Sequence, residues 1–109
     1  MQVRFSSKRL QAFIMNRQAV TRKYGERAAK NLGLRLEQLM VAPHVAALLQ
    51  APGGWHALRG DRAHEFAGDI TRSLRLIVTH TKTTKLSALN HVRWHDVDDV
   101  TVLEIVDYH

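Results

Sequence analysis

The chain has 109 residues, of which 45% are hydrophobic and 24% charged, so we expect a single globular domain over residues 1–109. It contains no cysteine, which excludes disulfides, thiolate nucleophiles and cysteine-based zinc sites. Sixteen Lys and Arg residues against ten Asp and Glu give a net charge of +6, which favours an anionic partner such as nucleic acid.

The first half of the chain predicts one strand followed by two helices. Residues 2–5 alternate polar and apolar side chains, as in a short half-buried strand. The two serines that follow can cap a helix that begins at about Lys8 and is interrupted at Tyr24-Gly25.

The second predicted helix begins near Glu26, where apolar residues recur at 3.6-residue spacing, and Pro43 should end or bend it. Residues 44–50 predict one more helical turn. Each of the two long helices has a single apolar stripe, so together they need a sheet to cover them.

The second half predicts a sheet, because a breaker cluster at residues 51–54 is followed by short apolar runs. The predicted elements are a strand at 55–59, a tight turn at Gly60-Asp61, a returning strand at 64–70, a third strand at 74–79 and a last strand at 100–106. Residues 81–99 are too polar and irregular to assign. The order β-α-α-β-β-β-β indicates an α+β domain, in which an N-terminal strand and a helical hairpin pack on a mainly antiparallel sheet.

The first candidate site is the predicted hairpin, which carries His56, Arg59 and Arg62 around its turn. Guanidinium groups suit phosphate oxygens, and an imidazole can move a proton near neutral pH. The alternative is an ordinary solvated hairpin tip.

The second candidate is the segment Asp107, Tyr108 and His109, which directly follows the last predicted strand. Side chains alternate along a strand, so Asp107 and His109 would share a face and Tyr108 would lie opposite. The alternative is an ordinary polar tail.

Other chemistries find little support in the sequence. His91 and His95 have a spacing that could ligate a metal on a helix, but they fall in a loop-like segment without further ligands, so we expect no metal and no cofactor. Neither a nucleophile elbow nor a phosphate-binding glycine loop is present. Charges within the first ten residues and the lack of roughly 20 consecutive apolar residues predict a cytoplasmic protein without membrane contact.

Three segments together resemble the HigB-like branch of the RelE/ParE superfamily of bacterial toxins: residues 56–62 (HALRGDR), 75–78 (RLIV) and 107–109 (DYH). Those toxins carry an H-x-L-K/R-G-D-R hairpin, an aromatic-R-[LI]-I/T-F strand and a D-Y-H end. Residues 3–7 and 23–25 are similar as well, so the resemblance covers nearly the whole chain in the same order.

The resemblance implies a RelE-like fold and a type II toxin that cleaves mRNA on the ribosome. It also implies a cognate antitoxin, a helix-turn-helix DNA-binding protein, as the partner that neutralises it. The positions that match the family's catalytic residues are His56, Arg59, Asp107, Tyr108 and His109, and the matching phosphate- or RNA-binding positions are Arg62 and Arg75.

Metal-free RNA cleavage by attack of the 2′-hydroxyl needs one group to remove a proton, another to donate one, and cations to stabilise the phosphate. The sequence leaves open which residue is the base and which the acid. Two rival functions also stay open, a ParE-like toxin that poisons DNA gyrase and an inactive nucleic-acid or regulatory binding module of the same fold.

Overall fold

A computed structural model describes residues 1–81 and 92–107, in which a strand and four helices precede four further strands. In chain order the elements are β1 (Gln2–Phe5), α1 (Lys8–Ile14), α2 (Arg17–Tyr24), α3 (Glu26–Val41), α4 (Val45–Leu48), β2 (His56–Ala57), β3 (Glu65–Asp69), β4 (Leu74–His80) and β5 (Asp99–Asp107). Three residues singled out in the sequence, His91, Tyr108 and His109, lie outside the described residues.

The strands form one sheet with the order β1-β5-β4-β3-β2. β1 runs parallel to β5 and the other three neighbouring pairs are antiparallel, which confirms the mainly antiparallel α+β fold. The strands predicted at 74–79 and 100–106 are confirmed as β4 and β5, which extend one residue beyond those limits. β5 lies inside the sheet, between β1 and β4.

The helical half departs from the prediction, because the first helix is two helices, α1 and α2. Met15 ends α1, and the Asn16 side chain caps α2 by accepting a hydrogen bond of 3.1 Å from Ala19 N. The single predicted helix was wrong because an asparagine side chain competes with the backbone and favours a helix start. α4 confirms the additional turn predicted after Pro43.

The predicted tight turn at Gly60-Asp61 was also wrong. β2 covers only two residues, and the chain then passes through a 3-10 helix, Gly60–Arg62, before β3 begins at Glu65. Gly60 has a φ of +65°, and Ala63 N donates to its carbonyl at 3.1 Å, which closes the 3-10 turn. The segment that carries the candidate arginines is therefore a wide loop.

The core lies between the helices and one face of the sheet. Leu74, Leu76 and Val78 alternate along β4 and pack in the same buried cluster as residues of α3 and α4. Phe66 of β3 is fully buried, and its ring centroid lies 5.8 Å from that of Trp55 and 5.4 Å from that of Trp94. Within the described residues, no helix has the length and apolar character needed to cross a membrane.

We predict that Phe66→Ala lowers the free energy of unfolding by about 3–5 kcal/mol, because the surrounding rings cannot close the cavity it leaves. Urea denaturation measures this as a lower midpoint at an unchanged slope. Met40→Ala is the control, since Met40 is exposed on α3 and its loss should cost about 0.5 kcal/mol or less. Equally small losses in both variants would contradict the central position of Phe66.

Candidate functional site

Two of the residues that the sequence singled out, His56 and Arg75, lie on one face of the sheet. Arg75, Ile77 and Thr79 alternate with Leu74, Leu76 and Val78 and therefore lie on the side opposite the helices, which we call the outer face. Ile77 is fully buried on this face, whereas Arg75 and Thr79 are partly exposed. His56 pairs with Ala67, which pairs with Ile77, so His56 also lies on the outer face.

His56 is exposed on the edge strand β2, where its Nδ1 lies 2.8 Å from the carbonyl oxygen of Gly54. A carbonyl oxygen can only accept, so Nδ1 must carry the proton and donate it. In the neutral imidazole this leaves Nε2 with a lone pair. His56 is therefore held in the tautomer that can accept a proton at Nε2.

Arg75 is held in place by a carboxylate and by the backbone. Its Nε lies 3.0 Å from Asp69 Oδ1, and its Nη1 donates to the carbonyl of Thr71 at 3.2 Å. The Asp69 carboxylate occupies the space that a Cβ at position 54 would need, and Gly54 has a φ of +68°. We call Gly54, His56, Asp69 and Arg75 the sheet-end cluster.

The cluster lies at the end of the sheet where β2 and β4 begin and where β3 and β5 end. His56 and Arg75 are separated by β3 and offset by two residues, which puts their Cα atoms roughly 12 Å apart. Asp107 is the last residue of β5 and pairs with Leu74, the neighbour of Arg75. The structure thus brings three predicted site residues to one end of the sheet: His56 and Arg75 lie on the outer face, and Asp107, which pairs with the core residue Leu74, lies on the helix-covered face.

Arg59 lies away from this end. It is exposed and caps the 3-10 helix with an extended backbone, three residues beyond His56 and thus roughly 10 Å along the chain. Its predicted catalytic role stays a prediction, as do those of Tyr108 and His109.

Arg62 is bound by two carboxylates. Its Nη2 donates to Glu104 Oε2 at 2.7 Å, and its Nε lies 3.1 Å from Glu65 Oε1. These contacts tie the loop after β2 to β5. A phosphate would have to replace one of these carboxylates, so phosphate binding by Arg62 also stays a prediction.

The sequence reasoning missed Asp69, Glu65 and Glu104, the acidic residues that hold the arginines in place. They occupy alternate positions on β3 and β5 that face outward, a pattern visible only once the register is known. It also missed a histidine pair at the other end of the sheet, where His64 Nδ1 lies 3.2 Å from Nε2 of the buried His80.

Two solved structures have this fold along the whole chain. A YoeB/ParE toxin from Agrobacterium tumefaciens has a TM-score of 0.60 and 11% identity, with 100% of both chains covered. A chain of the YoeB-YefM complex from Staphylococcus aureus has a TM-score of 0.57 and 12% identity, with 100% of this chain and 97% of that chain covered. This chain has the YoeB/ParE toxin fold. No protein-family model and no curated protein matches it, so the comparisons establish the architecture, and the HigB-like branch stays a prediction.

We predict that Gly54→Ala destabilises the protein by roughly 1–3 kcal/mol, because alanine is strained at positive φ and its Cβ would displace the Asp69 carboxylate. Denaturant unfolding of the purified variant measures the change. Gly33→Ala is the matched control: Gly33 lies within α3 with open space around its Cα, so alanine should stabilise by about 0.5–1 kcal/mol. Stabilisation by both substitutions would refute the close contact at Gly54.

Proposed function

We propose that this protein is the toxin of a type II toxin–antitoxin pair and that it cleaves mRNA on the ribosome. The observation that carries the proposal is the convergence of His56, Arg75 and Asp107, which belong to three different HigB-like segments, on one end of a sheet with the YoeB/ParE toxin fold.

The sheet-end cluster and the segment that ends β5 together supply the types of group that RNA cleavage needs. A base removes the proton of a 2′-hydroxyl, whose oxygen attacks the adjacent phosphorus. The bond from phosphorus to the 5′-oxygen then breaks, and that oxygen takes up a proton from an acid. His56 Nε2 is suited to one proton transfer, while Asp107 and His109 are candidates for the other.

The developing charge on the phosphate oxygens needs a fixed cation. The Arg75 guanidinium meets that need, because its contacts with Asp69 and the Thr71 carbonyl hold it in one orientation before substrate binds. Arg59, Arg62 and Tyr108 complete the proposed set of residues that contact RNA.

The proposal includes a neutralising antitoxin with a helix-turn-helix DNA-binding domain, and the cytoplasm as the place where toxin, ribosome and mRNA meet. One of the structures with this fold comes from a YoeB-YefM complex, which supports a protein partner for this chain as well.

A second candidate is a toxin that poisons DNA gyrase through protein contacts, as ParE-like proteins do. The observation that favours it is the fold shared with a YoeB/ParE toxin. Such a toxin would not depend on an acid–base set at the end of β5, and this difference separates the two candidates.

We predict that induced expression of the wild type arrests growth and produces new mRNA 5′ ends inside translated messages, and that Asp107→Ala/His109→Ala abolishes both. Growth curves and 5′-end mapping measure these effects. The matched control is His95→Ala/Asp96→Ala, which removes the same two residue types from the 3-10 helix Trp94–Asp96 and should remain toxic. Arrest without cuts, shared by all three proteins, would favour the gyrase target, and the absence of arrest would favour an inactive binding module.

We predict that Arg59→Ala lowers cleavage about a hundredfold while ribosome binding changes little, as expected when a cation stabilises the transition state rather than the bound complex. Cleavage of a programmed ribosome's message and cosedimentation with ribosomes provide the two measurements. Equal losses in both would make Arg59 a docking residue.

A further inference from the structure

The positive charge of this chain is concentrated on its helices. Residues 8–30 contain seven basic residues and one acidic one, whereas the remainder of the chain contains nine of each, so this stretch accounts for the whole net charge of +6. These residues form α1, α2 and the first turn of α3. On the sheet, by contrast, Arg62 and Arg75 are bound by carboxylates.

A pocket of about 520 Å³, lined by six polar or charged residues and by Ile70, lies at the edge of this basic surface, between α3 and the turn that joins β3 to β4. Its lining includes three arginines and two uncharged polar residues, Arg27, Arg35, Arg72, Asn31 and Thr71. Asp69 is its acidic residue, and that carboxylate is already paired with Arg75.

Two contacts fix the walls of the pocket relative to each other. Arg35 Nε donates to the Asp69 carbonyl at 2.7 Å, and Asn31 Nδ2 donates to the Ile70 carbonyl at 2.8 Å. Both contacts tie α3 directly to the end of β3. The pocket is therefore formed before any ligand binds.

Two of the three pocket arginines are exposed and are not paired with a carboxylate in the described residues. Arg27 on α3 and Arg72 in the turn are exposed, and neither forms an ion pair within residues 1–81 and 92–107. Arg27 and Arg72 lie on different walls of this pocket, and guanidinium groups are well suited to donate hydrogen bonds to the oxygens of a phosphate group.

We propose that this pocket binds a backbone phosphate of RNA and anchors the polynucleotide on the basic helical surface. The inference rests on the proposed function, in that RNA is the polymer the protein acts on. It adds a binding site between α3 and the turn that joins β3 to β4, which adjoins the sheet-end cluster through their shared residue Asp69.

The distribution of apolar residues favours RNA over a protein at this surface. Leu34, Met40 and Val41 are large exposed apolar side chains, and all lie on the part of α3 that follows the basic stretch. Within residues 8–30 the large exposed apolar side chain is Met15. Protein interfaces need an apolar centre, whereas a phosphate backbone needs only cations and hydrogen-bond donors.

The position of the pocket also suits the proposed chemistry. Arg72 lies two residues before Leu74, which pairs with Asp107, so the turn that carries Arg72 borders the end of β5. A strand of RNA held by Arg27 and Arg72 would continue past this sheet end. The pocket would then set the position of the scissile phosphate relative to the site.

The test compares two double variants with the same loss of charge, Arg27→Gln/Arg72→Gln and the matched control Arg4→Gln/Arg93→Gln. Arg4 and Arg93 are exposed and paired with Asp99 and Asp96, away from the pocket. Fluorescence anisotropy measures binding of a labelled, mixed-sequence, single-stranded 20-nucleotide RNA between 50 and 200 mM KCl.

Each phosphate contact to single-stranded RNA contributes about 0.7 to the slope of log affinity against log salt. We expect Arg27→Gln/Arg72→Gln to reduce this slope by about 1.4, so that the wild type loses roughly sevenfold more affinity over this salt range than the variant. The control should keep the wild-type slope. Both variants should melt close to the wild type, because Arg27 and Arg72 are exposed and each ion pair lost in the control, Arg4–Asp99 and Arg93–Asp96, has an exposed arginine and contributes little to stability.

Three outcomes would refute the proposal that this pocket binds a phosphate of RNA. They are an unchanged slope in the Arg27/Arg72 variant, equal losses in both double variants, and binding of poly-glutamate as tight as that of RNA and lost in the same variant. The mapping of mRNA 5′ ends reports separately on the proposed function. If the wild type cuts mRNA but one of these three outcomes is found, phosphate binding by the pocket is refuted and the proposed function stands. If the wild type makes no cuts in mRNA, the proposed endonuclease activity is refuted.

Discussion

The parallel pairing of β1 with β5 is the contact on which the rest of the fold depends. It joins residues 2–5 to residues 99–102, and the Arg4 guanidinium reinforces it by donating to Asp99, a contact that also raises the pKa of Arg4. β5 lies between β1 and β4, and its Val100 and Val102 are fully buried in the core cluster that the sheet shares with the helices. The pairing of β5 with β4 on its other side places Asp107 beside Leu74 at the sheet end. Without the pairing to β1, β5 would be an edge strand with half of its backbone groups unpaired.

Charge is divided between the two layers of the molecule. The helices carry the net positive charge, while carboxylates on the sheet hold individual arginines in defined orientations. Exposed ion pairs of this kind contribute only about 0–1 kcal/mol each, so a phosphate can displace a carboxylate such as Glu104 at small cost. The carboxylates therefore act mainly on orientation, because they restrict the rotamers of Arg62 and Arg75 before an anionic partner binds.

The sequence predicted most reliably those elements whose pattern is local. β4 and β5 are long runs with apolar residues inside them, and the helix of α3 has an uninterrupted apolar stripe, so each was found nearly at its observed limits. The break before Asn16 was missed because apolar residues on both sides continue one periodic pattern, and only the capping contact reveals the boundary. The candidate site was predicted only in part, because only some of its residues belong to local sequence patterns. His56, Arg75 and Asp107 belong to recognisable sequence segments. Asp69 contacts Arg75 because of the strand register and because Gly54 has no side chain, and no local sequence motif indicates either feature.

The interior position of β5 has a consequence for the order in which the molecule is made. Synthesis produces β5 last among the strands, yet both β1 and β4 need it as their neighbour. A nascent chain that has not yet released residues 99–107 holds two strands without partners, and contacts of such long sequence separation form late in folding. The core is completed and Asp107 reaches the sheet end in the same step, when β5 pairs with its neighbours. This step cannot occur before β5 has been translated. A protein built in this way has no finished sheet end until residues 99–107 have left the ribosome.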